Sequence, residues 1–303
     1  MSERKSEQHF SALPKPHTTY ANIIKSLLPI GDNDKQDKSV LPDATYIVDT
    51  LEIDHDNLAD YRKICGFANN SYVPPTYFAV LSQALQMNMM VKEPFPFTML
   101  GLVHIDNSVT QYRLIKDTAI FKMSVSFANL RDHAKGKQFD FVTKVFEKDV
   151  LVWEGTSTYL SRQKSNNPQS RSQMSTDAHP KPALDENDID QFWEVPEDIG
   201  RRYAFISGDF NLIHLHPLSA RAFGFPKAIA HGMWTKAKCL AELGELPEAF
   251  QCDVSFKLPI FLPSEVEFIA KYDNRDEDIE FGVYDATTPK PHVLGKLHAL
   301  DNQ

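Results

Sequence analysis

The chain has 303 residues and a net charge of −9, because 41 Asp and Glu residues outnumber 32 Lys and Arg residues. Its hydrophobic fraction of 42% and charged fraction of 24% are typical of a soluble globular protein and exclude a fully disordered or fibrous chain. The acidic balance argues against nucleic-acid binding. Cys65, Cys239 and Cys252 have neither disulfide nor zinc-site spacing, and no run of about 18 apolar residues predicts a membrane span. We therefore expect a cytoplasmic protein without membrane insertion.

Two stretches of unusual composition divide the chain. Residues 1–40 are polar and mixed in charge, and we expect an N-terminal arm there. The apolar residues of this arm follow the spacing of a short amphipathic helix: Tyr20, Ile23, Ile24, Leu27 and Leu28. Residues 163–184 are rich in Ser, Asn, Gln and Pro, which is typical of a linker. The sequence therefore predicts two domains, at residues 41–162 and 185–303.

Both predicted domains have a helix followed by β-strands. In the first domain a helix is predicted at Tyr77–Met90. The strands predicted after it are Leu102–Gln111, Ala119–Phe127, Phe139–Glu147 and Leu151–Ser161. In the second domain a helix is predicted at Ile229–Leu243. Its predicted strands are Val254–Leu258, Glu265–Tyr272, Ile279–Tyr284 and Val293–Leu300. This order indicates an α+β fold with an antiparallel sheet in each domain.

Two short sequence similarities indicate that the domains arose by duplication. Tyr61–Phe67 resembles Tyr203–Asp209 at an offset of 142 residues. Gly155–Leu160 resembles Gly295–Leu300 at an offset of 140 residues. The first similarity aligns Phe67 with Asp209, so a carboxylate at this position is confined to the second domain.

Asp209 and His214 are the strongest candidates for catalysis. A turn between them would place a carboxylate and an imidazole in one cleft, where they could bind a water molecule, remove its proton and return it. The spacing alone is weak evidence, because most such pairs form surface hydrogen bonds. Gly232, at the start of the second domain's helix, offers a backbone N–H without an intrahelical partner, which could bind a substrate carbonyl. Gly232 could instead permit close packing against the sheet.

Residues 210–241 contain no Asp or Glu, although the chain as a whole is acidic. Four cations lie in this stretch: Arg221, Lys227, Lys236 and Lys238. Such an excess of positive charge could hold the phosphates of coenzyme A or an acidic carrier protein. The alternative is an ordinary solvated helix face.

These residues belong to a longer pattern that resembles a known family. The run from Tyr203 to Leu243 contains Ser-Gly-Asp-Phe-Asn-Leu-Ile-His and then His-Gly-Met, and Ser255–Pro259 follows. It resembles the MaoC-like dehydratases, also called the (R)-specific enoyl-CoA hydratase family. The segments Val73–Tyr77 and Pro94–Phe97 resemble the N-terminal domain of two-domain members. The resemblance implies a double hot-dog fold, in which two antiparallel sheets each wrap around a central helix and form a pseudo-dimer within one chain, with a homodimer also possible.

The resemblance implies reversible hydration of trans-2-enoyl thioesters of coenzyme A or acyl-carrier protein to (R)-3-hydroxyacyl thioesters. No cofactor or metal is expected beyond the coenzyme A or phosphopantetheine of the substrate. Asp209 and His214 would activate water, and the Gly232 N–H would polarise the thioester carbonyl. The expected substrate-binding residues are Asn211, His231, Arg221, Lys227, Lys236 and Lys238. The first domain would be non-catalytic and would accommodate the acyl chain.

Three alternatives remain open on the sequence alone. Asp209, His214, His216 and His231 could form a metal site, which activity after chelation would exclude. A hot-dog thioesterase shares the fold, and it would release free thiol from an acyl-CoA. A non-catalytic acyl-CoA binding module would need neither Asp209 nor His214. The family pattern also departs at Leu212, where Pro is usual, and at His216, where Asp is frequent.

Overall fold

A computed structural model describes residues 6–14, 40–99, 102–162, 181–186, 188–273 and 278–301. The amphipathic helix predicted in the arm and most of the predicted linker lie outside the described residues. Within those ranges the chain forms eleven strands and six helices. No helix among them is both long and apolar enough to span a bilayer.

The first half of the chain forms two helices and six strands. In chain order these are β1 Ser6–Phe10, β2 Ala44–Leu51, α1 His55–Cys65, α2 Tyr77–Lys92, β3 Leu102–Gln111, β4 Phe121–His133, β5 Gly136–Glu147 and β6 Val150–Arg162. Helix α2 packs on β2, β4 and β5 and buries its apolar residues there. The predicted helix and four predicted strands are confirmed in type, and β1 and β2 are additional.

The second half repeats this order with two short extra helices. Its elements are β7 Ile189–Val195, α3 Ile199–Ser207, α4 Leu212–Leu215, α5 Pro217–Ala222, α6 Gly232–Glu242, β8 Phe250–Phe256, β9 Ser264–Asp273, β10 Asp278–Asp285 and β11 Pro291–Ala299. Helix α6 begins three residues later than predicted. Ile229 forms a β-bridge with Phe261, and the Ala230 N–H donates to Ile260, so this segment is extended.

All the described strands form one sheet in the order β1-β2-β4-β5-β6-β3-β8-β11-β10-β9-β7. Strand β1 is parallel to β2, and every other neighbouring pair is antiparallel. The halves join through β3 and β8, with Asp106 opposite Ser255 and Gln111 opposite Phe250. Read outward from this junction, both halves have the same strand order apart from the additional β1 at the outer edge of the first half, in agreement with the predicted duplication.

The helices at the start of the two halves end in the same way. Gly66 ends α1 with a φ of 89°, and Gly208 ends α3 with a φ of 75°. Both angles lie in the left-handed region, which glycine adopts without steric cost. The turn at Gly208 directs the next residue, Asp209, away from the helix axis and toward the space between the two halves.

Candidate active site

A cavity of about 660 Å³ lies between the two halves and contains the predicted catalytic groups. The second half contributes Asp209, Asn211, His214, His231 and Gly232. The wall from the first half contains polar and apolar side chains: Gln83, Gln86, Met87, Met90, Phe97, Met99, His104 and Tyr159. The cavity is therefore a composite of both halves.

Local hydrogen bonds bring Asp209 and His214 together. The carboxylate of Asp209 accepts from the backbone N–H of Asn211 at 3.1 Å. The Asn211 side chain caps α4 by accepting from Ile213 N–H at 3.4 Å. This single-turn helix carries His214 into the cavity, so Asn211, which was predicted to bind substrate, also shapes the loop that presents His214.

The orientation of His214 defines which of its nitrogens can accept a proton. Nδ1 lies 2.8 Å from the carbonyl oxygen of Ile229, and since a carbonyl only accepts, Nδ1 carries the hydrogen. In the neutral ring Nε2 is then the unprotonated nitrogen. The ring stacks on His231 with centroids 3.7 Å apart. His214 is thus held as an acceptor beside Asp209.

The second imidazole of the site, His231, holds the Asp209 loop in position. It directly precedes α6, and its Nε2–H donates to the backbone carbonyl of Asp209 at 3.1 Å. The same nitrogen lies 3.9 Å from the Asp209 carboxylate. The side chain is buried and also lines the cavity. This contact with the protein means that His231, expected to bind substrate, has a second role in positioning Asp209.

Burial and neighbouring charges set the protonation of these groups. Burial raises the pKa of Asp209, but His231, His214 and hydrogen bonds from Gln83 and Asn211 outweigh it and lower the pKa to about 2. Burial lowers the pKa of His214, and it lowers the pKa of His231 to about 3. At neutral pH the site therefore holds an ionised carboxylate and two neutral imidazoles.

The three groups are close enough to bind a cation. One ligand atom from each of Asp209, His214 and His231 lies within 4.8 Å of the others. Backbone carbonyls already engage His214 Nδ1 and His231 Nε2. His216, the fourth residue of the predicted metal alternative, instead accepts from Leu218 N–H at 3.1 Å and caps α5.

Gly232 begins α6 at the floor of the cavity. As the first helical residue, its N–H has no partner within the helix and can bind a carbonyl oxygen. A Cβ at this position would lie 2.9 Å from the ring of Phe256, so glycine is also needed for close packing. The two roles predicted for Gly232 are compatible.

The prediction that Lys236 and Lys238 belong to a basic surface that binds anions is wrong. Lys236 is fully buried, and its Nζ donates to the Asn107 side chain at 2.7 Å and to the Cys252 carbonyl at 3.0 Å. It connects α6 to both strands at the junction of the halves and cannot reach a bound anion. Lys238 forms an ion pair with Glu242 one turn along α6.

The other two predicted cations are exposed but do not line the cavity. Arg221 on α5 donates to the Pro226 carbonyl at 3.2 Å, and Lys227 lies in the loop that follows this helix. Among the described residues, the cations that line the cavity are Arg162 and Lys257, and both are exposed. Neither residue was predicted from the sequence, although Lys257 follows β8 directly and Arg162 ends β6.

Replacing Lys236 by Met should destabilise the fold without weakening ligand binding. Met keeps the length and volume of the side chain but leaves Asn107 and the Cys252 carbonyl without their buried donor. We expect the free energy of unfolding to fall by about 2 kcal/mol. Urea unfolding of Lys236→Met measures this, with Lys227→Met as the exposed control. Equal stability of the two variants would contradict the structural role.

His104 is a further buried imidazole at the cavity that was not predicted from the sequence. It lies on β3 in the first half, stacks on Tyr159 with centroids 4.7 Å apart, and lies 5.0 Å from the ring of Phe256. Burial and the positive charge of Lys236 lower its pKa to about 4, although Asp209 and the Asp106 backbone oppose this. His104 lies far in sequence from the motif that contains Asp209 and His214, so no local sequence pattern indicated that it belongs to the site.

Because of His104, the free energy of unfolding should decrease as the pH falls from about 6.5 to 4. The unfolded chain binds a proton at the ordinary His pKa of about 6.5, whereas the folded chain does not until about 4, so acid favours unfolding. His104→Phe should remove up to about 3 kcal/mol of this pH dependence. Urea unfolding at pH 7 and pH 4.5 measures it. A change no larger than that in the exposed His55→Phe would contradict the assignment.

Comparison with known proteins agrees with this fold and indicates its family. Residues 163–290 match the family model of the MaoC-like domain. The chain is 36% identical over 228 residues to 3-hydroxyacyl-thioester dehydratase X of Mycobacterium tuberculosis, covering 74% of this chain and 79% of that protein. A crystal structure of HtdX from the same organism matches with a TM-score of 0.72 and 30% identity, over 84% of this chain and all 100% of that chain.

A more distant structure shows the same architecture. A conserved hypothetical protein of Mycobacterium tuberculosis with a double hot-dog fold matches with a TM-score of 0.53 and 10% identity, over 84% of this chain and 95% of that chain. The predicted α+β, double hot-dog fold is thereby confirmed. From the extent of the similarity to dehydratase X, the chain belongs to the MaoC-like dehydratase family and is an enzyme of the hydro-lyase class.

Proposed function

We propose that the protein catalyses the reversible hydration of trans-2-enoyl thioesters to (R)-3-hydroxyacyl thioesters. The observation that carries this proposal is the convergence of an ionised Asp209 and an unprotonated His214 Nε2 on one cavity. These groups can accept the two hydrogens of one water molecule. The name of the related dehydratase X supports a 3-hydroxyacyl thioester as the substrate class.

The reaction follows from the positions of three groups. A water molecule held by Asp209 and His214 transfers a proton to this pair while its oxygen bonds to C3 of the enoyl thioester. The electrons of the double bond move toward the thioester carbonyl, which accepts a hydrogen bond from Gly232 N–H at the start of α6. The same proton is then delivered to C2, which returns Asp209 and His214 to their starting protonation states.

We assign the two halves different parts in this reaction. Residues 185–303 carry Asp209 and His214 and form the catalytic domain, whereas residues 41–162 have Phe67 in place of Asp209. The first half lines the cavity with flexible and aromatic side chains suited to an acyl chain: Met87, Met90, Phe97 and Met99. Residues 1–40 and 163–184 are then the arm and the linker.

The substrate's carrier is coenzyme A or the phosphopantetheine of an acyl-carrier protein, and no other cofactor is needed. Both carriers bring phosphate groups to the cavity, and Arg162 and Lys257 are placed to bind them. With both hot-dog units in one chain, the protein forms a pseudo-dimer, and association of two chains would add no catalytic group.

A spectrophotometric assay tests the proposal. When purified protein is mixed with short and medium trans-2-enoyl-CoAs, the absorbance of the conjugated thioester should decrease to an equilibrium value, and the (R)-3-hydroxyacyl product should form, identified by chiral chromatography. Turnover should persist after exhaustive chelation, which separates this mechanism from a metal site. Release of free thiol would show a thioesterase instead, and binding without turnover by folded protein, with both carriers, would show a binding module.

A further inference from the structure

Gln83 is a polar residue of the first half that faces the catalytic carboxylate of the second. It is the seventh residue of α2, the central helix of the first half, and it lines the same cavity as Asp209. Hydrogen bonding from its side-chain amide is among the causes that lower the pKa of Asp209, whose carboxylate can only accept. The interaction therefore crosses between the halves, from one central helix to the loop after α3.

The internal repeat places a matching residue on the other central helix. Lys238 is the seventh residue of α6, and its Nζ lies 3.4 Å from where a Cβ of Gly66 would be. Gly66 ends α1 as Gly208 ends α3. The seventh residue of each central helix thus reaches the loop after the first helix of the opposite half. The repeated architecture therefore accounts for the position of Gln83 opposite the Asp209 loop.

We propose that Gln83 is a positioning residue for hydration, which rests on the function proposed above. The Asn211 N–H holds the carboxylate of Asp209 from within its own loop, and His231 holds the loop backbone. Gln83 fixes the same carboxylate from the opposite wall, so that its lone pairs stay directed at the bound water. The first half then contributes to water activation as well as to acyl-chain binding.

Asp209 is surrounded by titratable groups from several elements. The imidazoles and phenols that interact with it are His214 on α4, His231 before α6, His104 on β3, Tyr159 on β6 and Tyr203 on α3. None of these is a carboxylate. Among the described groups that interact with Asp209, a carboxyl group at position 83 would therefore be a new acid, facing it from the opposite wall of the cavity.

Two substitutions of Gln83 test the proposal, with Gln86 as the matched control. Gln86 lies on the same helix and lines the same cavity, but it donates to Ser82 at 3.0 Å. Gln83→Met keeps the volume and removes the amide, and should lower kcat about tenfold while KM changes less than about twofold. Gln83→Glu should move the acid limb of the kcat profile upward by at least about one pH unit, because two adjacent carboxyls share a proton. Gln86→Met and Gln86→Glu should have clearly smaller effects.

The outcomes are distinct. If Gln83→Met retains the wild-type kcat, or if the Gln86 variants shift kcat and the acid limb equally, Gln83 is not a positioning residue. If Gln83→Met does not fold, the acid limb of Gln83→Glu decides in the same way. Absence of hydration by the wild-type protein would contradict the proposed function and leave the Gln83 contact to be judged from the pKa of Asp209, followed by carbon-13 NMR of the labelled carboxyl group.

Discussion

Replacing Asp209 by Asn is expected to lower kcat for enoyl-CoA hydration about 10³-fold while the fold stays intact. Asn has the same shape and can still accept a hydrogen bond from Asn211 N–H, so the loop should keep its conformation. An amide cannot take a proton from water near neutral pH, and loss of a general base commonly reduces rate by about 10² to 10⁴. Initial rates with a medium-chain enoyl-CoA and a thermal melting curve measure both parts.

Asp198→Asn is the matched control for this substitution. Asp198 lies in the same half, directly before α3, and pairs with Arg202 at the surface. It should keep wild-type kcat. Turnover of Asp209→Asn at the rate of Asp198→Asn would show that the carboxylate does not activate water.

His214→Asn is expected to lower kcat about 10²-fold with little change in KM. The Asn amide can occupy the place of Nδ1 and donate to the Ile229 carbonyl, so the local backbone contact is preserved. The substitution removes Nε2, the nitrogen left to accept a proton. Steady-state kinetics at saturating substrate separate this loss of catalysis from a loss of binding.

His216→Asn provides the control for His214, because the two residues are neighbours in the motif but differ in position. His216 caps α5, and Asn is a good capping residue, so this variant should retain both stability and turnover. If His216→Asn were as impaired as His214→Asn, the assignment of the acceptor to His214 would have to be withdrawn.

Much of the fold was predictable because its elements have strong local signals. The strand at Leu102–Gln111 was predicted with its observed bounds, and α2 differs from the prediction by two residues at its end. Strand β1 was missed, since its Ser-Glu-Gln-His-Phe sequence lacks a buried face and is defined by parallel pairing with β2. The start of α6 was misplaced, because apolar spacing cannot reveal that Ile229 is held by a distant bridge.

The site was predictable only where its residues are close in sequence. Asp209, Asn211 and His214 belong to one loop and a single-turn helix, so a motif can contain them. Lys236 was assigned to the surface because its charge gave no sign that Asn107, far away in the chain, would bind it at the junction of the halves. Gln83 is likewise far from Asp209 in the sequence, so no local motif could contain both residues. Contacts between the halves depend on how their strands join in one sheet, and local sequence patterns do not indicate this arrangement.

Both halves belong to one chain, and their strands join in one sheet through β3 and β8. In an assembly of two identical chains, any substitution in the central helix would appear in both walls at once. Here the equivalent positions differ: Gln83 faces Asp209, whereas Lys238 faces the loop that contains Phe67. Each wall can therefore change independently during evolution. New substrate preferences can arise in the first half while the proton-transfer groups of the second remain untouched.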